Sequence, residues 1–323
     1  MKRMGGRLSK LARIPWVSLR NRLEPPVLVL AYHRVAEVTG DAIGMAVTPE
    51  NFRAQMAYLK ENYPVLRFED DWSMAGRPSV VVTFDDGYAD NRESALPILE
   101  ELGLPAAFFI SSGTVGAEGE FWWDEVEKIF LGSGDLPASL SLAESDLTGR
   151  WNTEGPEQRM RAYREVHKYL KPMDTGRRAV LLAALRKWSG RTQARPSHRA
   201  LRMDELKSLA ASPCVTIGAH TVSHPMLSGR PKADQEREIL ASRKDLETWL
   251  GKPVDVFSYP FGDHGDYNGD TLAICRAGGF RKVAAAYPGQ WRKSTDPFQI
   301  PRVFIHDWTR GQFARKLRLF FNT

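Results

Sequence analysis

An α/β fold, with a mostly parallel sheet curled into a barrel of the β/α type, is the class this 323-residue sequence predicts. Three observations carry it. Short apolar runs rich in β-branched residues recur seven times, helical stretches separate them, and one long segment interrupts the rhythm. The runs fall at residues 27–32, 79–84, 106–110, 215–220, 256–260, 282–286 and 301–305. The first of them, residues 27–32, is an uninterrupted apolar run and reads as a buried strand. Helices are expected at 49–63, 93–103, 204–212, 233–251 and 270–279. Several of these end in glycine, which suits a left-handed C-cap. A barrel of this kind keeps its working groups at the C-terminal ends of its strands.

The interruption runs from about residue 119 to 196. It shows little strand signal, and residues 157–170 and 176–190 read as two basic amphipathic helices. The expectation is a helical insertion over one rim of the barrel. The chain therefore divides into a basic tail, 1–23, and one barrel domain, 24–323, carrying the insertion.

Charge is unevenly placed. Seven of the 45 basic residues lie in the first 23 positions, where there is no acid, and the remaining 38 face 39 acids. The near-neutral body argues against nucleic-acid binding, which calls for positive charge on the folded surface. The tail has the basic start of a secretory signal, but Lys10, Arg13 and Pro15 break up the apolar stretch that should follow. An uncleaved, cytoplasmic protein is expected. Leu8, Leu11, Trp16 and Leu19 among the cations suit either an anionic membrane surface or a solvated tail. No run of about 18 apolar residues is present to span a bilayer. Cys214 and Cys275 stand far apart, outside any C-x-x-C pattern, and are expected to be reduced.

The chemistry gathers at two strand ends. Asp85 and Asp86 follow the run 79–84, and Gly87 permits a sharp turn. Adjacent acids repel one another, and burying them is costly unless a cation compensates. His220 and His224 follow the run 215–220. Two imidazoles and one carboxylate make three protein ligands and leave a coordination position for water, the pattern of a catalytic zinc site. The second carboxylate is then available as a base. A phosphotransferase of the haloacid-dehalogenase type also ends a strand in acids. It spaces them D-x-D, however, and would leave the histidine pair without a task.

T-F-D-D-G (Thr83 to Gly87) together with H-T-x-x-H (His220 to His224) resembles the polysaccharide deacetylase family, carbohydrate esterase family 4. The resemblance extends from Val27 to about Ile305, less the insertion. It implies a deformed (β/α) barrel and removal of N- or O-acetyl groups from sugar polymers. It also implies a divalent ion, zinc first, with cobalt, nickel or manganese as substitutes. By that resemblance Asp85 is the general base, and Asp86, His220 and His224 are the metal ligands. The family's R-P-P-Y-G motif reads Ser258-Tyr259-Pro260-Phe261-Gly262 here. That implies an oxyanion role for the Phe261 N–H and leaves Ser258 where the base-orienting arginine usually stands. Arg302 is either its replacement from another strand or a surface residue. Y-H-R-V (Tyr32 to Val35) resembles the poly-N-acetylglucosamine deacetylase branch, in which strand order is permuted and an early histidine is the general acid. His33 is accordingly favoured for that role over His306 in V-F-I-H-D-W.

The function expected is metal-dependent removal of N-acetyl groups from amino sugars in a polysaccharide or glycolipid. Two alternatives stand beside it. One is a deacetylase or deformylase of a lipid-linked sugar at the cytoplasmic membrane face. The other is a non-catalytic glycan-binding relic, for which the missing arginine at Ser258 is the motive. Trp122 and Trp123 suit a sugar-stacking platform or, more commonly, packing. His167, His198 and His264 have no partner pattern. The C-terminal residues 310–321 suit a helix lying on a membrane or packed on the barrel.

Overall fold

The computed structural model describes residues 20–144 and 147–322. Seven parallel strands form the barrel: β1 (Val27–Tyr32), β2 (Ser79–Phe84), β3 (Ala106–Ile110), β4 (Val215–Ala219), β5 (Val256–Ser258), β6 (Lys282–Ala284) and β7 (Val303–Phe304). They neighbour one another in the order β6-β5-β4-β3-β2-β1-β7. The segment leading into β7 closes the ring, since Ile300 bridges Ala284 on β6 while Val303 pairs with Leu30 on β1. The closure is uneven. A short strand, Val65–Leu66, pairs with the first half of β2, and β3 takes over at Thr83 and Phe84. The seven strands and the deformed barrel expected from the sequence are therefore present.

Side-chain alternation divides these strands between two cores. Leu28, Leu30, Tyr32, Val80, Val82, Phe84, Phe108 and Ile110 face outward into a large apolar layer. That layer includes residues of α1 (Pro49–Asn62), α2 (Leu96–Leu102), α6 (Met203–Ala211) and α7 (Lys232–Leu250). Val27, Val29, Val81, Ala107, Phe109, Val256, Ala284 and Ile300 face inward, with Phe68, Trp72 and Trp291 filling the lower barrel. The inward set is what matters for function. Carrying the inward register on in steps of two, from Val81 through Thr83, and from Gly218, Val256 and Ile300, reaches Asp85, His220, Ser258 and Arg302 at the C-terminal mouth. Gly218 sits in the same register because Phe109 occupies the space beside it. A Cβ there would lie 2.4 Å from the Phe109 ring and 3.0 Å from Val256.

The insertion corrects the expectation of a purely helical segment. The two helices read from the sequence are present as α4 (Pro156–Leu170) and α5 (Thr175–Ser189). They are joined by α3 (Trp122–Leu131) and an antiparallel hairpin, Ser139–Glu144 with Leu147–Asn152. The hairpin has few inward residues to signal it: Leu140 and Leu142 are buried, whereas Ser141 between them is exposed. These elements share an apolar cluster with Met45 and Tyr88 of the barrel rim. Trp122 and Trp123 are both buried in it. After α6 and α7 come α8 (Gly269–Ala277) and α9 (Arg310–Phe321), and α9 packs on the barrel through Phe313, Leu317 and Phe321. No described helix is long and apolar enough to cross a membrane. Both cysteines are free, with Cys275 buried.

The tight approach at Gly218 generates a test. Gly218→Ala should destabilise the protein by about 1–3 kcal/mol through overpacking, read as a lower urea midpoint at constant m-value. Adding Phe109→Leu should recover part of that loss. An unchanged midpoint in Gly218→Ala would contradict the packing described.

Candidate active site

The C-terminal mouth of the barrel holds a cavity of about 300 Å³ lined by His33, Asp85, Asp86, His220, His224, Phe261 and Arg302, with insertion residues Trp123, His167 and Lys171 on its wall. Among the described residues, the non-glycine positions with positive φ are Asp86 (74°), Thr221 (63°), His224 (53°) and Phe261 (60°). All four belong to this mouth or to the loops that shape it. Such conformations cost about 1–3 kcal/mol each and persist only where surrounding structure imposes them.

The two aspartates point to different partners. Asp86 Oδ1 lies 3.5 Å from His220 Nε2 and 3.3 Å from His224 Nε2, and all three residues are buried. Ligands about 2.1 Å from a tetrahedral ion stand about 3.4 Å apart, so these separations match a shared ion better than direct hydrogen bonds. His220 Nδ1 lies 2.7 Å from the Ser258 carbonyl oxygen. Donation to that acceptor keeps the proton on Nδ1 and leaves Nε2 free to ligate. His224 Nδ1 is buried without a partner among the described residues. Its ring is instead held by aromatic contact, 4.6 Å from Trp123 and 4.7 Å from Phe261. Burial works to raise the Asp86 carboxyl, but the His220 and His224 rings beside it prevail and hold it far below the usual carboxylate range. Burial lowers His224 and keeps it neutral despite Asp86. An ionised carboxylate beside a neutral imidazole with a free lone pair is the donor chemistry a divalent ion requires, so the residues present fit one.

Asp85 faces away from that set, toward Arg302. Nη1 donates to Oδ1 at 2.7 Å and Nη2 to Oδ2 at 2.6 Å. The remaining donors of the guanidinium are used as well: Nε to the Ala285 carbonyl, Nη1 to Thr83 Oγ1 and Nη2 to Ser258 Oγ. Arg302 is 1% exposed. The sequence left this arginine open between a base-orienting role and a surface position, and the structure places it against Asp85. Ser258 is the small residue that leaves room for it. Burial pushes the Asp85 carboxyl upward, but Arg302 and His220 outweigh this and hold it below its usual range.

His33 and His306 part company. His33 lines the cavity with its ring 4.9 Å from Phe304 and its Nδ1 buried without a partner among the described residues. Burial lowers its pKa, while Asp86 and Asp85 oppose that shift. The D-D-G segment runs on to clamp the strand end that carries His33. Asn91 Nδ2 donates to the His33 carbonyl at 2.8 Å, and buried Asp90 accepts from Arg34 Nε at 3.0 Å and from the Val35 N–H at 3.0 Å. His306 is not brought into the cavity lining. Its Nδ1 lies 3.0 Å from the Gly44 carbonyl oxygen, and its ring sits between Phe304 and Trp308. The Phe261 turn is closed by Gly262 N–H to Pro260 and Ala286 N–H to Gly262, and no backbone partner for the Phe261 N–H is found among the described residues.

Several contacts here had no signal in the sequence. Lys171 of the insertion pairs with Asp266 at 2.6 Å and lies 4.5 Å above the Phe261 ring. Trp123 donates from Nε1 to Tyr88 Oη at 2.7 Å, and Tyr88 donates to buried Asp124, also at 2.7 Å. Tyr88 and Asp90 lie two and four residues from Asp86, and Arg34 sits inside Y-H-R-V. Those three could have been flagged by position.

A sequence profile described as polysaccharide deacetylase matches residues 73–136 and 147–283. The Bacillus subtilis protein YxkH, which carries a polysaccharide deacetylase name, is 21% identical over 303 residues, spanning 92% of this chain and 76% of its own. The structure of BC0361, a polysaccharide deacetylase from Bacillus cereus, superposes with a TM-score of 0.60 at 22% identity, covering 91% of this chain and 69% of that one. IcaB from Ammonifex degensii gives a TM-score of 0.59 at 18% identity, covering 92% and 97%. These structural likenesses establish the barrel fold.

Arg302→Met should leave Asp85 buried and unpaired, costing about 3–5 kcal/mol. Asp85→Asn in the same chain should restore a large part of it. Because the folded Asp85 pKa is depressed, the pair's contribution is complete above the ordinary carboxylate pKa of about 4 and is lost as pH falls through the lowered value. Urea titrations at pH 7 and pH 3 should therefore show wild type and Arg302→Met converging in acid; parallel curves would contradict the assignment.

Proposed function

The chain belongs to the polysaccharide deacetylase family, hydrolases of N-acetyl amide bonds, and from that premise we propose that it removes the acetyl group of an N-acetylated amino sugar in a glycan or glycolipid with the help of a divalent ion. The observation that carries this reading is the convergence in one cavity of Asp85 with the Asp86, His220 and His224 donor set. A divalent ion held by those three residues supplies Lewis-acid polarisation and acidifies water at neutral pH. Zinc suits two imidazoles and a carboxylate, and cobalt, nickel and manganese are the substitutes to test.

Each residue then has one task. The Asp85 carboxylate, kept ionised and aimed by Arg302, accepts the proton of the attacking water. The Phe261 N–H, presented by a backbone held at φ 60°, donates to the oxygen that gains charge at the acetyl carbon. His33 donates the proton that the departing amine needs as the C–N bond breaks, leaving acetate and a free amino sugar. His306, outside the cavity lining, has no part. The reading as a non-catalytic relic was motivated by Ser258, and Arg302 now answers that motive. The lipid-linked variant was motivated by the basic tail, which up to Leu19 lies outside the described residues.

Acetate release from N-acetylglucosamine oligomers should stop on chelation and return with zinc or cobalt. Asp85→Asn should lower kcat by about 10²–10⁴ while leaving metal affinity nearly unchanged. His33→Gln should lower kcat, and His306→Gln should stay within about threefold of wild type, comparable to exposed substitutions. Full turnover in chelated enzyme, or the larger loss in His306→Gln, would contradict these roles.

A further inference from the structure

We propose that the end of the barrel opposite the cavity is a docking surface for an anionic lipid bilayer. Two segments far apart in sequence meet there. The described chain begins at Arg20 and is helical through Leu23 just before β1, and α9 ends at Phe321. They touch directly, with Asn21 Nδ2 donating to the Phe321 carbonyl at 2.8 Å. Arg292 ties the junction by donating to Asn21 Oδ1 and to the Glu24 carbonyl, each at 2.7 Å. The N-terminal end of β1 lies opposite the strand ends that carry Asp85 and His220, so this junction faces away from the cavity mouth.

The surface built there is cationic with apolar points. Arg20, Arg22, Arg315 and Arg318 are exposed, and no ion pair is found for them among the described residues. Leu23 is 79% exposed and Leu319 is 62% exposed, two of the five large apolar side chains so exposed. Glu24, the acid next in the chain, has its carboxylate turned to the Lys293 N–H at 3.1 Å. The remainder of α9 contains no acid, and its Arg310 is paired with Glu61. Exposed leucines among exposed arginines match the apolar boundary and the negative surface of a bilayer together. A nucleic acid would use the arginines and have no use for the leucines. The inference stands apart from the hydrolase reading and predicts that bilayer binding leaves the cavity open to solvent.

The full chain should co-sediment with vesicles containing 30% phosphatidylglycerol in phosphatidylcholine and be released by 0.5 M salt. The double variant Arg315→Gln/Arg318→Gln should lower vesicle affinity on the order of thirtyfold, at about 1 kcal/mol per cation, with acetate release from a soluble substrate unchanged. Binding to pure phosphatidylcholine as strong as to the anionic vesicles would overturn the proposal. So would wild-type affinity in the double variant, or tighter binding of duplex DNA than of the vesicles in the same buffer. If the variant loses soluble turnover as well, the wild-type comparison of anionic with neutral vesicles decides alone.

Discussion

Two ionised carboxylates, side by side and buried, cannot persist without opposite charge on both, and the rest of the site is arranged around that constraint. Asp85 receives a guanidinium held in place by three further hydrogen bonds. Asp86 receives only two imidazoles, one kept neutral by burial. The asymmetry separates their chemistry. A carboxylate matched one-to-one by an internal cation is compensated within the protein. A carboxylate facing uncharged lone pairs is half of a binding site. The backbone supports the division, since the positive φ at Asp86 turns its side chain away from the inward register that Asp85 follows.

The insertion does more than cover the rim. Trp123 from α3 packs on His224, the candidate ligand whose second nitrogen has no hydrogen-bond partner among the described residues, and is itself fixed by Tyr88 and Asp124. Lys171 from the end of α4 reaches Asp266 and lies over Phe261. One side of the donor set is thus fixed by a barrel carbonyl at His220 and the other by the aromatic wall of the insertion. Orienting partners of this kind commonly govern metal affinity as much as the ligands do.

Much of this was legible in the sequence, for identifiable reasons. The strands could be placed within one or two residues because both faces are buried and the apolar runs are continuous. The D-D-G and H-T-V-S-H segments could be paired because each follows such a run. Arg302 could only be left open, since whether it faces inward depends on a register that closes through the single bridge at Ile300. The hairpin of the insertion escaped notice because its buried alternation is so short. Lys171 and Asp266 belong to separate elements and form no local pattern, so only the assembled fold brings them together. His306 illustrates the reverse: its position after the last strand suits a catalytic group, yet its ring nitrogen meets the Gly44 carbonyl and the residue is not part of the cavity lining.

The central claim is that Asp86, His220 and His224 share one divalent ion while Asp85 remains outside its coordination. Anomalous scattering from crystals grown with zinc, recorded on both sides of the absorption edge, tests it most directly. The account predicts one strong peak about 2.0–2.2 Å from an Asp86 oxygen and from the Nε2 atoms of both histidines, with Asp85 still paired to Arg302. A peak bridging both aspartates, or metal-replete crystals with no peak among these residues, would contradict it.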